Sequence, residues 1–360
     1  MSDSFVAAAA ARAADAERWR GCVRVAHLPY LAFASKAERD QIRPVVVLDA
    51  RASSATPFDL HADGFTVIDR HRTPELSALL PKVCDPHDRS AVVAEAYPAI
   101  ARLVEALGAS RQGGQRWRAI AYSHMHRYTV NCPSFTVHND YTSPSQGVKQ
   151  ALKTLDGRES PADVERAMRL PFFAANVWTA LATVRRDPLT VCRWNEGREV
   201  GDMGYARQKL GVDEWYWVPA MRRGEAVVFK QFDSLSLKAA PPTAALPTTA
   251  SAEGEASGVT AGAPPASSAA EGARAAASAL RAEFTLHTSF REPPVRRGRS
   301  GPPPRRSIEY RVLVFEDSEG VLPATFGQAT MDSLAATAAK AAAARPPLQE
   351  ETTGMRADAA

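Results

Sequence analysis

The stretch FTVHNDYTSPSQ, starting at Phe135, puts a histidine and an aspartate two residues apart, His138 and Asp140, behind an apolar run and ahead of a polar turn. In a strand, residues i and i+2 point to the same face. A neutral imidazole and a carboxylate so placed can both donate to one divalent metal. Two ligands are too few: a facial non-haem Fe(II) site needs a second histidine and leaves three positions open. Of the eight histidines, His27, His61, His71 and His87 lie in the N-terminal third, in loops or at helix edges, and read as ordinary. His287, in EFTLHTSF, sits mid-strand among apolar neighbours. A lone strand histidine is ordinarily structural, but the segment after it changes the weighing. In PRRSIEYRVLVF, Arg305, Ser307, Glu309 and Arg311 share one face by the same period of two. A guanidinium beside a hydroxyl suits a carboxylate, because the arginine fork matches both oxygens. The order is therefore a metal pair, a distal histidine, then an anchor for a dicarboxylate.

Other motifs compete. His124 and His126 in SHMH form a second i, i+2 pair, but RYTVNCPS supplies no glutamate to complete a cupin-type site, so a core strand with one polar face is the better reading. Trp215–Trp217 read as buried rings. Lys230 and Asp233 read as a salt bridge or turn. There is no G-x-S-x-G and no cysteine in an activating context, which leaves a hydrolase without support.

The elements that must position these residues begin, from about Cys22, as alternating strands and helices. VVVLDA and GFTVIDRH are strand-like, and TPELSALLPKV and YPAIARLVEALGAS have helical spacing, the second stopping at Gly108. Short strands follow: RAIAYSHMHRYTV, SFTVHND, FFAANVWTAL, DPLTVCRW, WYWVPA, EAVVFKQFD, EFTLHTSF and SIEYRVLVF. Without βαβ units in this half, the pattern argues against a doubly wound parallel sheet and for an α+β chain with a jelly-roll core and flanking helices. The expected organisation is a flexible or helical segment over 1–20, a catalytic domain over 21–237 and 283–325, a disordered Ala/Pro/Ser/Thr-rich insertion over 238–282, and a low-complexity tail over 326–360.

Composition narrows the function classes. A net charge of +4, scattered along 360 residues, does not argue for nucleic acid. No apolar run approaches a membrane span, and four dispersed cysteines without a C-x-x-C suggest reduced thiols in a cytoplasmic protein. Oligomeric state is not readable.

The order His138-x-Asp140, His287, Arg305-x-Ser307 resembles the Fe(II)/2-oxoglutarate-dependent dioxygenases. A closer resemblance runs through most of the chain outside the insertion. VVVLDARASSATPFDLHADGFTVIDRHRT, VHNDYTSPS, NVWTAL, DPLTVC, EAVVFKQFDS, LHTSFREP and PRRSIEYRVLVF stand in the order found in a hydroxylase/desaturase family that includes aspergillic-acid hydroxylases, gibberellin desaturase-like proteins and cephamycin-pathway homologues. The resemblance implies a double-stranded β-helix, with His138, Asp140 and His287 as Fe(II) ligands. Arg305 and Ser307 would hold the distal carboxylate of 2-oxoglutarate, and Arg311 would lie near its metal-chelating end. It implies O2 and a small-molecule substrate of secondary metabolism, and Asp140 favours hydroxylation or desaturation over halogenation. Thr179 and Ala180 depart from the family's arginine and proline after Asn-Val-Trp. The alternative is a non-catalytic relative that binds a small ligand or a protein.

Overall fold

The computed structural model describes residues 23–26, 28, 45–52, 57–69, 88–109, 115–128, 134–141, 144–195, 213–235, 281–290 and 302–344. The expected helices over 1–20 and TPELSALLPKV, and the insertion up to residue 280, lie outside them. No helix among the described residues is long and apolar enough to cross a membrane.

Among the described residues, ten strands form two five-stranded sheets. The first runs in the order β1 (Val23–Ala26), β2 (Val45–Asp49), β7 (Trp215–Trp217), β6 (Leu189–Cys192), β9 (His287–Ser289). Its β2–β7 pair is parallel and the rest are antiparallel. The second, wholly antiparallel, runs β3 (Phe65–Ile68), β8 (Ala226–Asp233), β5 (Phe172–Ala180), β10 (Ser307–Glu316), β4 (Trp117–Arg127).

Strands β5 and β8 are buried along their whole length. That explains why they read as apolar runs rather than as alternation: both faces are covered. Trp178, Ala180, Val227 and Phe229 face an inter-sheet core with Val191 and Tyr216. Ala175, Val177 and Val228 face the opposite way, into a larger core completed by helices. Those helices include α1 (Tyr97–Ala109), α2 (Pro144–Leu155), α3 (Pro161–Arg169) and α4 (Gln328–Ala343). Helix α1 is entered through a short α-turn (Arg89–Ala91) and a π-helical turn (Val92–Ala96).

The expected double-stranded β-helix is corrected by this arrangement. The sheets remain open, ending at β1 and β9 and at β3 and β4, and neither curls into a barrel. The segments that would carry pairing from one sheet round to the other are too short. Strand β9 has three residues, and SFTVHND, expected as a strand, contributes one isolated bridge, His138 to His287. Helices α2 and α3 were not expected. The tail beyond residue 325, expected to lack a core contribution, carries α4, which buries Met331 and Ala338. Its alanines are strong helix formers, and these two residues with Leu334 give it one apolar stripe against the core.

Candidate active site

Two backbone hydrogen bonds bring the first and last expected metal ligands together. The His138 N–H donates to the His287 carbonyl (3.1 Å) and the His287 N–H to the His138 carbonyl (2.9 Å). The imidazole centroids lie 4.2 Å apart. Strand β6 fixes His287 from the other side, opposite Val191. With Asp140, the two rings form a cluster whose ligand atoms all lie within 4.8 Å of one another, the only such group of three among the described residues.

Each ring is oriented by its own chain. His138 Nδ1 lies 2.6 Å from the Thr136 carbonyl. A carbonyl only accepts, so Nδ1 carries the proton and Nε2 keeps its lone pair, as a metal ligand requires. His287 Nδ1 makes a longer approach, 3.5 Å, to the Thr285 carbonyl. Burial, and then the neighbouring His138, push the His287 imidazole down to about 3, so it is neutral at physiological pH.

The Asp140 carboxylate is divided between two tasks. Oδ1 lies 3.7 Å from His138 Nε2 and 4.0 Å from His287 Nε2. Oδ2 accepts from Asn176 Nδ2 at 2.9 Å and pairs with Arg311 Nη2 at 3.1 Å. Asn176 and Arg311 are cross-strand partners on β5 and β10, so one register position supplies both donors. Burial acts to raise this carboxyl, but His287, Arg311 and the Asn176 hydrogen bond together hold it below the ordinary carboxylate range. One anionic oxygen thus faces two imidazole lone pairs, a donor set that fits an Fe(II) facial site with open positions.

Two β-bulges help to place the Asp140 loop. On β8 the register against β5 shifts so that Gln231 is the extra residue. Its side-chain oxygen accepts from the Asp140 N–H (2.8 Å), and its carbonyl accepts from Asn139 Nδ2 (3.0 Å). On β4 the shift against β10 leaves Tyr122 as the extra residue. Its hydroxyl lies 2.8 Å from that of Tyr141. Bulges re-aim side chains in this way.

Of the residues expected to anchor a dicarboxylate, Ser307 opens β10 and Arg305 lies two residues before it. Arg305 is buried, donates from Nη1 to the Asp187 carbonyl and to Ser289 Oγ (both 2.7 Å), and lies over the Trp178 ring. Ser307 Oγ is buried without a hydrogen-bond partner. An orphaned buried hydroxyl two residues from a buried guanidinium fits a carboxylate ligand at this end. Glu309, between the arginines, is also buried. Its carboxyl is pushed up to about 7 by burial, then by Asp140, against the pull of Arg311, Arg127 and Arg305.

The sequence reading missed Asn176, Gln231 and the role of Glu309. Asn176 was present in NVWTAL, where a buried polar residue in an apolar strand was the available signal; a bulge at Gln231 leaves none. Thr179 lies on the helix-side face of β5, opposite Asn176 and Trp178, and donates to the Glu225 carbonyl. His124 is not part of the cluster. Its Nδ1 meets the Tyr97 hydroxyl at 3.0 Å, and burial, with His126 next, lowers it to about 4. Lys230 and Asp233 form a fully buried ion pair, and Trp215 and Trp217 are core residues.

A cleft of about 280 Å³ opens onto Asp140 and Arg311, walled by Tyr122, Tyr141 and, from α2, Gln146, Lys149, Gln150 and Lys153. Helix α2 can lie this close because Gly147 packs on Phe232. A Cβ there would stand 2.4 Å from the ring.

Comparison with known proteins adds sequence evidence. Residues 27–257 match a family model described as an oxidoreductase/YMDC permease-like domain. An alpha-ketoglutarate-dependent dioxygenase, phiK, from Fungal sp. (strain ATCC 74256), is 25% identical over 218 residues, covering 53% of this chain and 70% of that protein. Among solved structures, the iron and alpha-ketoglutarate-dependent endoperoxidase NvfI is similar at 21% identity and TM-score 0.49, covering 82% of this chain and 96% of that one. The non-heme alpha ketoglutarate dependent epimerase SnoN from nogalamycin biosynthesis is similar at 13% identity and TM-score 0.29, covering 73% and 86%.

Proposed function

The chain belongs to the oxidoreductase/YMDC permease-like family, and from that premise we propose that it is an Fe(II)/2-oxoglutarate-dependent oxygenase that hydroxylates or desaturates a small organic molecule of secondary metabolism. The observation that carries this reading is the divided Asp140 carboxylate. One oxygen is pinned by Asn176 and Arg311, and the other faces His138 and His287.

His138, Asp140 and His287 would hold Fe(II). Arg305 and Ser307 would bind the distal carboxylate of 2-oxoglutarate, with Arg311 beside the metal end. When bound, the pair couples O2 reduction to conversion of 2-oxoglutarate into succinate and carbon dioxide, and oxidises an unactivated C–H bond. The chain's residues bind and orient. The Thr136 carbonyl keeps His138 in its donating tautomer. Gln231 fixes the backbone of Asp140. Arg311 balances the carboxylate charge. The apolar inter-sheet core behind His287, with Phe229 at 4.8 Å from its ring, excludes water from that side. We propose a cytoplasmic setting, supported by four dispersed cysteines without a C-x-x-C.

The test is anaerobic addition of Fe(II) and 2-oxoglutarate, read as the weak visible metal-to-ligand charge-transfer band. The band is expected in wild type and absent in His138→Ala. No band in folded wild-type protein overturns the reading and favours a ligand-binding relative.

A further inference from the structure

The wall of the cleft that faces Asp140 and Arg311 is cationic, and its lysines have no ion-pair partner among the described residues. Gln146, Lys149, Gln150 and Lys153 follow the i, i+3, i+4, i+7 spacing that places side chains on one helical face. All four line the cleft whose other wall holds Asp140, Arg311, Tyr122 and Tyr141. Lys149 and Lys153 are exposed, and neither forms an ion pair among the described residues. As an i, i+4 pair of like charges they repel, a small cost to the helix. Lys153 lies in the last turn, where a cation interacts favourably with the helix dipole. Lys149 is a turn earlier and lacks that compensation. The cleft's one carboxylate, Asp140, is already engaged by Asn176, Arg311 and the histidines.

Gly147 makes the placement specific. Its contact with Phe232 seats α2 on β8 and so turns the lysine face over the cleft. Gln146 and Gln150 add neutral side chains to the same wall, Gln150 Nε2 donating to Thr154 Oγ1 at 3.1 Å.

Resting on the oxygenase reading, we propose that the substrate is an organic acid whose carboxylate is held by Lys149 and Lys153, which places its carbon skeleton between the lysines and the metal cluster. The site is distinct from the anchor proposed for 2-oxoglutarate at Arg305, just before β10, and Ser307, its first residue.

The experiment is anaerobic titration calorimetry of the protein loaded with Fe(II) and 2-oxoglutarate. The probes are benzoate, phenylacetate, cinnamate and octanoate, each paired with its methyl ester. The acids are expected to bind about fivefold tighter than their esters, as two partly exposed ion pairs allow. Lys149→Gln/Lys153→Gln should abolish that preference, and Lys149→Arg/Lys153→Arg should keep it. The affinity for 2-oxoglutarate, read from the charge-transfer band, should be unchanged in both. Equal binding of acids and esters, or binding of neither, overturns the proposal. So does a preference that survives Lys149→Gln/Lys153→Gln, or a loss confined to 2-oxoglutarate affinity. The same titrations on metal-free protein read the lysines alone, so a missing charge-transfer band sinks the oxygenase reading without deciding this one.

Discussion

Asn176 Nδ2 stands 2.9 Å from Asp140 Oδ2, on the side of the carboxylate away from both imidazoles. The bond fixes which oxygen faces the histidines. Asn176→Ala is expected to weaken metal binding roughly 10- to 100-fold, in the range found when a group orienting a ligand is removed. Titration with Mn(II), followed by its electron paramagnetic resonance signal, checks this. Asn176→Asp should be worse than alanine, since it sets a second carboxylate against Asp140. Wild-type affinity in both variants would show that Arg311 orients Asp140 unaided.

Arg305 reaches two acceptors, the Asp187 carbonyl and Ser289 Oγ, and packs on Trp178. Arg305→Ala is expected to raise the KM for 2-oxoglutarate by roughly 100-fold, the loss of a charge-assisted pair, with a smaller effect on kcat. Arg305→Lys should fall between, because an ammonium keeps the charge and loses the fork. Ser307→Ala should raise KM only severalfold. Steady-state kinetics with varied 2-oxoglutarate separates the three.

Glu309 imposes a pH dependence on the metal-free protein. Its carboxyl is raised from an ordinary 4.5 to about 7. Below the ordinary value, folded and unfolded chains both hold the proton, and the stability is fully present. As pH rises toward 7, the unfolded chain releases that proton and the native state retains it, so stability is lost across this window. The loss is on the order of 3 kcal/mol. Glu309→Gln should flatten that part of the profile. Urea unfolding at pH steps from 4.5 to 7.5 measures it, and an unchanged slope in the variant would assign the dependence elsewhere.

Lys230 and Asp233 are fully buried and bonded at 2.5 Å, with Arg281 also donating to Asp233. Lys230→Met removes one partner of a buried pair, which costs about 3–5 kcal/mol. Arg281 remains to balance Asp233, so the lower end is expected. Chemical denaturation tests this, and a loss below 1 kcal/mol would show that Arg281 carries the charge balance alone.

The chemistry was more legible than the architecture. His138, Asp140 and His287 stood out through residue type and chain order and lie together in the fold, and the period of two placed Ser307 and Arg311 on one strand, β10, whereas Arg305 stands two residues before that strand begins. The route to the first pair was wrong in detail, because residues 134–140 form one bridge rather than a strand. Asp140 is held by side chains from β5 and β8, not by the pleat of its own strand. Helix α2 escaped notice because PSQGVKQALKTL is mostly polar, and Val148, Ala151 and Leu155 make a thin apolar stripe. The closed jelly roll failed because strand count and patterning do not specify whether edges join. That depends on the length of β9 and on the parallel pairing of β2 with β7.

The reciprocal hydrogen bonds between His138 and His287 have a consequence for biosynthesis. They join segments that leave the ribosome far apart in time, with β5 to β8 made between them. A nascent chain that has exposed His138 and Asp140 holds two ligands and no third. The iron centre is therefore completed only after both sheets have most of their strands. An iron ion would meet at most two of the three ligands while β5 to β8 are being made, and the full cluster only afterwards.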